Sequence, residues 1–246
     1  MYISFLIENF QHGRAPFQNT DALTIEKACD ELSKSIRLRK LLGIVLNIGN
    51  RLNTAGPGSG KGKAGAITLD SLLKLNQAKA VGDKKLSFLH YVVMVVRRNK
   101  DDLLHFQDDL RTVFKADKIN WDLAKAEIVS LEKQLISLHE IALQLVPGPW
   151  NLNRSNMQNL DPGKEASILS ETSTGRFFMD ASFQISDMCK LVQTTSKKFT
   201  MLLEYFGEDK NDTQPHELFK IMITFCKNFQ SAVEDIERME KAKVRS

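Results

Sequence analysis

Cysteine is scarce and badly placed for crosslinking. Cys29, Cys189 and Cys226 are odd in number and far apart, which excludes a disulfide framework and fits a reduced cytosolic setting. Long apolar runs are missing as well. Nothing approaches the roughly 18 uninterrupted apolar residues that cross a bilayer, and residues 1–8 lack the basic start of a signal peptide. A soluble chain that does not enter a membrane is expected. Charge of one sign is not in surplus: 34 basic and 30 acidic residues leave +4, with no concentrated basic stripe of the kind nucleic acid requires. The alternating apolar–polar pattern of strands and hairpins is also absent.

Catalytic constellations are equally thin. Histidines 12, 90, 105, 139 and 216 are scattered, and His139-Glu140 lacks the second histidine of a zinc-binding helix. Asp101-Asp102 and Asp108-Asp109 precede apolar residues and read as helix starts, where carboxylates complement the dipole. Gly56-Pro57-Gly58-Ser59-Gly60-Lys61 invites comparison with a phosphate loop. It has three residues between the framing glycines instead of four, carries Gly62 in the Ser/Thr place, and follows a helix instead of a strand. It reads as a solvated loop. No enzyme, metal or cofactor is expected.

What is present is helical spacing, and 246 residues offer ample material for a core. A short amphipathic helix over 2–10 is followed by a connection over 12–19 with Gly13 and Pro16. The next helix starts at Thr20 or Asp21 and runs to about Asn53. Residues 55–65, with five glycines and Pro57, form a loop. Short helices follow over 69–75 and 85–98, separated by a turn around Gly82. Beyond 101–114, an apolar seam of Trp121, Ala124, Ile128, Leu131, Leu135, Leu138, Ala142 and Leu145 advances by alternating threes and fours, a heptad pattern. Pro147-Gly148-Pro149 stops it, and 151–163 is a polar loop. A long helix over 165–206 carries Phe178, Ala181, Ile185, Met188, Val192, Thr195, Phe199, Leu202 and Phe206. After a turn over 207–214, Pro215 opens a last helix through Leu218, Met222, Phe225, Phe229, Val233, Ile236 and Met239, thinning into a charged tail from Glu237. The expectation is an all-α, elongated multi-helix bundle with long coiled-coil-like helices and no internal repeat. Periodicity favours packing of the heptad helix within its own fold.

The most telling stretch is 41–91. Apolar residues Leu38, Leu41, Leu42, Val45, Leu46 and Ile48 lead into Gly49-Asn50-Arg51-Leu52-Asn53. Asparagines one turn apart offer donors and acceptors to backbone groups, and Gly49 lets another backbone come close. Together they suit a fixed polar joint. After the glycine-rich loop come Leu69-Asp70-Ser71-Leu72-Leu73-Lys74-Leu75, Asn76-Gln77-Ala78-Lys79 and Phe88-Leu89-His90-Tyr91. That order resembles the formin homology-2 domain, the actin-assembly module of formins. Ala28-Cys29-Asp30-Glu31-Leu32 upstream and Tyr205-Phe206-Gly207-Glu208-Asp209 downstream match the same family.

The resemblance implies an actin-binding module of the cytoplasmic actin cytoskeleton, acting in filament nucleation and barbed-end elongation as a head-to-tail dimer. It places Lys79 where the family has a lysine that contacts actin, with Lys74 as a second candidate. Lys84, Lys85, Arg97 and Arg98 complete the most basic neighbourhood. Gly49, Asn50 and Asn53, with Leu72 and Leu75, fall in the region that receives the partner subunit's lasso. The chain then divides into 1–20, a remnant of an upstream helical region; 21–114, the core with the Gly-Asn-x-x-Asn motif; 115–206, long antiparallel helices; and 207–246, a terminal helix and basic tail. Two departures stand out. Leu52 replaces a methionine, a swap that cores tolerate, and Gly65-Ala66-Ile67-Thr68-Leu69 stands where the family has Gly-Phe-Lys-Leu. The lasso, the linker and most of the knob are expected upstream of Met1, so the chain alone is expected to be impaired in assembly. The rival expectation is a helical scaffold that dimerises through Trp121–Leu145 without actin activity; a nucleotide-binding enzyme would instead depend on Lys61.

Overall fold

The computed structural model describes residues 19–54, 63–79, 85–99, 101–145, 173–209 and 213–244. Every regular element among them is helical: α1 Asn19–Lys34, α2 Ile36–Thr54, α3 Leu69–Lys74, α4 Phe88–Asn99, a 3-10 helix Asp101–Asp109, α5 Val113–Ala116, α6 Trp121–Leu145, α7 Ser173–Phe206 and α8 Pro215–Val244. A single antiparallel bridge, Lys79 to Ser87, is the one β-type pairing among the described residues. The expected helix over 2–10, most of the glycine-rich loop, the Pro147-Gly148-Pro149 stop and the start of the helix at 165 lie outside the described residues. The fold class is all-α.

The chain forms two compact units. One comprises Met1–Ala22 and Asn120–Thr194, the other Leu23–Ile119 and Thr195–Ser246. In the first, the heptad seam does what its period demands. Trp121, Ala124, Ile128, Leu131, Leu135 and Leu138 are all buried, and the last three close on Phe178, Ala181 and Ile185 of α7, with Phe177 and Cys189 at the margin. The two helices run antiparallel there: His139 meets Phe178 edge-on at 5.0 Å, while Glu132, two turns earlier, faces Cys189 and, after burial, is the second influence raising its thiol pKa. Packing within the chain therefore occupies the seam. Leu123, Val129 and Ile136 face outward instead, 56%, 47% and 55% exposed.

In the second unit α8 is the spine, packing against α3, α4 and α5. Its stripe of Leu218, Met222, Phe225, Phe229, Val233 and Ile236 is buried as the spacing requires. Phe106 from the 3-10 helix wedges against Phe229 edge-on at 5.2 Å and against Phe225 at 5.9 Å. Burying each ring contributes roughly 2–3 kcal/mol. Cys226 is buried in this core, which pushes its thiol up to about 12. The helix continues past Glu237 to Val244, and Glu240 pairs with Arg97 of α4 at 3.0 Å.

The helix expected to run unbroken from Thr20 or Asp21 to Asn53 is two. Ser35 interrupts it: its hydroxyl oxygen accepts from the Leu38 amide at 3.1 Å, capping α2, and donates to Asp109 Oδ2 at 2.8 Å. Arg37 adds Nη1 to the His105 carbonyl at 2.8 Å and Nη2 to Asp109 Oδ1 at 3.0 Å. Asp109 was expected to open a helix; it closes the 3-10 segment and binds α2. The start of α5 is capped from a distance by Glu31, which accepts from the Thr112 and Val113 amides at 2.7 and 3.2 Å.

Candidate functional site

The residues singled out by sequence gather around α3 and the segment that follows it. Thr68 caps α3, its Oγ1 accepting from the Ser71 amide at 3.3 Å. The Leu69 amide is taken by Glu208 Oε1 at 2.9 Å. Glu208 stands just past a helix end in which Gly207 adopts a left-handed φ of 69°. There the Gly207 amide donates to the Glu204 carbonyl and the Glu208 amide to the Leu203 carbonyl, at 3.1 and 3.0 Å, the bond pattern of a Schellman cap. Two segments 139 residues apart are joined by this contact. Leu69 and Leu72 are each 1% exposed, on the helix that packs against α8.

Past Leu75 the chain turns, the Gln77 and Ala78 amides both donating to the Lys74 carbonyl at 3.0 and 3.2 Å. Lys79 then bridges Ser87, and the Phe88 amide donates to the Ala78 carbonyl at 2.7 Å. Lys79 and Ser87 are thus tied to each other through the backbone. Ser87 is also the residue before α4, buried, and His90 reaches back to it. The Ser87 amide donates to His90 Nδ1 at 3.1 Å, and the Ser87 hydroxyl lies 2.7 Å from the same nitrogen. A nitrogen that accepts from an amide carries no proton, so Nε2 bears it and donates to Asp235 Oδ2 of α8 at 3.2 Å. This Ser-His-Asp set is no nucleophile–base pair. Its imidazole already accepts from the Ser87 amide, and both residues are buried, Ser87 2% and His90 5% exposed.

Lys79 is exposed and makes no ion pair with a described residue. Lys74 is exposed but paired with Asp70 one turn back. Arg97 is paired with Glu240; Lys85 and Arg98 are exposed; Lys84 and Lys61 lie outside the described residues. The expected basic neighbourhood is accordingly narrower than the sequence suggested.

Asn50 forms the polar joint its chemistry offers. Nδ2 donates to the Ala64 carbonyl at 2.9 Å and Oδ1 accepts from the Ala64 amide at 2.8 Å, fastening the far side of the glycine-rich loop to α2. Asn53 is exposed. Gly49 does not serve close approach to any described residue, since a Cβ there would meet nothing within 4 Å. Leu52, read as a core substitution, is 59% exposed; it shares a helix face with buried Leu41 and Val45 but lies beyond the packed part of α2. Leu75 is half-buried, whereas Leu72 lies inside the chain's own core.

Sequence reasoning had His90 and Glu208 only as members of family-like motifs, with no contact assigned to either, and did not single out Ser87 or Asp235. A local signal existed for one pair: Ser87 and His90 have the spacing of a capping box, with histidine in the glutamate place. Nothing local could pair His90 with a carboxylate 145 residues away.

The family model for the Formin Homology 2 Domain matches residues 17–230. Disheveled-associated activator of morphogenesis 2 from Gallus gallus is 31% identical over 87% of this chain and 18% of its own length. Formin-E from Dictyostelium discoideum is 27% identical over 95% of this chain and 14% of its own. Formin-like protein 21b from Arabidopsis thaliana is 27% identical over 91% of this chain and 51% of its own. The chain thus spans about a fifth or less of the first two relatives and about half of the third.

Proposed function

The chain belongs to the Formin Homology 2 family, and from that premise we propose that it is a non-enzymatic actin-binding module of the cytoplasmic cytoskeleton. It works in filament nucleation and barbed-end elongation as part of a head-to-tail dimer. The observation that carries the reading is Lys79: exposed, with no ion partner among the described residues, at the family's actin-contact position, its backbone bridged to Ser87 beside the Phe88–Ala78 hydrogen bond. An exposed ammonium on a bridged backbone suits docking on an acidic partner, where charge complementarity speeds encounter and fixes orientation. Lys74 is the lesser contact, because Asp70 competes for its charge. The residues read for the dimer contact are Gly49, Asn50, Asn53, Leu72 and Leu75; of these Asn53 is exposed, Gly49, Asn50 and Leu75 are half-buried, and Leu72 is buried, which suits it to support the contact from beneath.

Cosedimentation of the chain with actin filaments tests this. Lys79→Asp is expected to weaken binding about tenfold or more and Lys74→Ala about twofold, with the weakening smaller as salt rises. Equal binding by the native chain and Lys79→Asp would remove the lysine from the contact. The scaffold reading, dimerisation through Trp121–Leu145, has less support, because the seam of that helix is taken up by α7.

A further inference from the structure

We propose that His90 and Asp235 form a positioning unit that sets where Lys79 stands, so that α8 helps to shape the actin contact without touching actin. The inference rests on the reading that Lys79 meets actin. The chain of contacts is short and each link is polar. Asp235 on α8 accepts from His90 Nε2 at 3.2 Å. His90 Nδ1 accepts from the Ser87 amide at 3.1 Å and faces its hydroxyl at 2.7 Å. Ser87 pairs through its backbone with Lys79. His90 is 5% and Ser87 2% exposed, so neither polar group has water to fall back on, and loss of one partner strands the other. Asp235 is itself steadied by Arg238 in the next turn.

A histidine in the third position of α4 could serve the helix start alone, as glutamate or glutamine does in a capping box. Two features go beyond that. The ring continues to a second helix, and the residue it caps is the one bridged to Lys79. Ordinary capping would need neither Asp235 nor the bridge. Glu208 fastens the Leu69 amide at the start of α3, so the described run from Leu69 to Lys79 is anchored at both ends, and the site's cation sits at the second anchor.

A double-mutant cycle on the 246-residue chain separates positioning from mere stability. Affinity for actin filaments is measured for the native chain, Lys79→Ala, His90→Ala and the double variant, alongside urea unfolding of each. Lys79→Ala is expected to weaken binding about fivefold and His90→Ala about threefold. The double variant is expected to bind no worse than Lys79→Ala alone, while the loss of stability from His90→Ala stays the same in both backgrounds. His90→Gln, which can still accept from the Ser87 amide, should recover most of the binding. Asp235→Ala should repeat the coupling from a different helix. If His90→Ala is too unstable to assay, Asp235→Ala takes its place in the cycle, removing the Nε2 partner and leaving the Ser87 helix start intact. Multiplying effects in the double variant, threefold and fivefold giving about fifteenfold, would overturn the positioning role while leaving Lys79 in the contact. No effect of Lys79→Ala itself would remove the actin contact and the inference with it.

Discussion

Gly49→Ala puts opposite signs on two explanations of one glycine. Glycine within a helix is less favourable than alanine by about 0.8–1 kcal/mol, because its backbone has more freedom to lose and its side chain covers nothing. That deficit persists where a neighbour crowds the missing Cβ. At Gly49 no such neighbour exists among the described residues: beyond its own helix backbone, a Cβ would meet nothing within 4 Å, and the residue lies in the last turns of α2 with helical backbone. The alanine variant should therefore be more stable by about 0.5–1 kcal/mol, chiefly through a less flexible unfolded chain. For a domain of this size that raises the midpoint of thermal unfolding by roughly 2–4 °C, readable by differential scanning calorimetry at fixed protein concentration. Sedimentation equilibrium of the same samples mixed with a lasso-bearing formin homology-2 chain reads the partner contact. If the partner's backbone lies against this turn, the added methyl should loosen that association by about fivefold or more while the chain itself gains stability. A fall in unfolding temperature would refute the reasoning at its root, because it would mean that something in the chain already fills the space beside Gly49. A stabilised chain with unchanged association would take Gly49 out of the dimer contact.

Three further outcomes follow from named contacts. Asn50→Ala removes both bonds to Ala64; it should cost about 1 kcal/mol and speed hydrogen exchange at the Ala64 amide without changing exchange in the α8 core. Gly207→Ala places a Cβ on a left-handed residue and should cost about 1–2 kcal/mol in urea unfolding, loosening the Glu208 contact to α3 as well. Lys198 reaches Glu26 at 2.8 Å and Asp30 at 2.9 Å. Burial pushes the Asp30 carboxyl up, but hydrogen bonds from Lys198 and Lys34 outweigh it and hold it below its ordinary 3.8. A lowered acid pKa stabilises the fold above the unfolded value and loses that contribution as pH falls through the folded one. The native chain should thus lose this increment below about pH 4, and Lys198→Met should flatten that part of the acid limb. With both side chains about a third exposed, the increment is roughly 1 kcal/mol or less.

How much of this was legible beforehand depends on the range of the interaction that decides each feature. The seams of α6, α7 and α8 were readable because burial on one face imposes a period on the residues themselves, and Ile128, Leu135, Ile185 and Phe225 are buried as their spacing requires. The end of α7 at Gly207 was readable for the same reason: a left-handed residue selects glycine locally. The break at Ser35 was not. Helical propensity runs evenly from Asp21 to Asn53, and the serine earns its capping role from Asp109, 74 residues away. Asp109 itself misled, since a carboxylate before an apolar residue fits a helix start until Arg37 and Ser35 claim it.

The site divides along the same line, and the division bears on how such a surface is built. The residues proposed for contact could be named from sequence because each sits in a short local motif: Lys79 just after Leu72-Leu73-Lys74-Leu75, and Gly49, Asn50 and Asn53 within one run of five residues. What holds them could not, because support comes from carboxylates on distant segments: Glu208 for the start of α3, Asp235 through His90 for the exit. Both distant carboxylates meet protein groups that water cannot easily serve, a helix-start amide in one case and a buried imidazole in the other. A surface cation costs little to expose but loses rotamer entropy of about 2 kcal/mol if its partner must order it on binding. Bracing the backbone beneath Lys79 does not touch that rotamer entropy, but it spares the partner the separate cost of ordering the backbone. The physical expectation is that exposed residues set which partner is met, while the buried hydrogen-bonded ones set how much of the contact is prepared in advance.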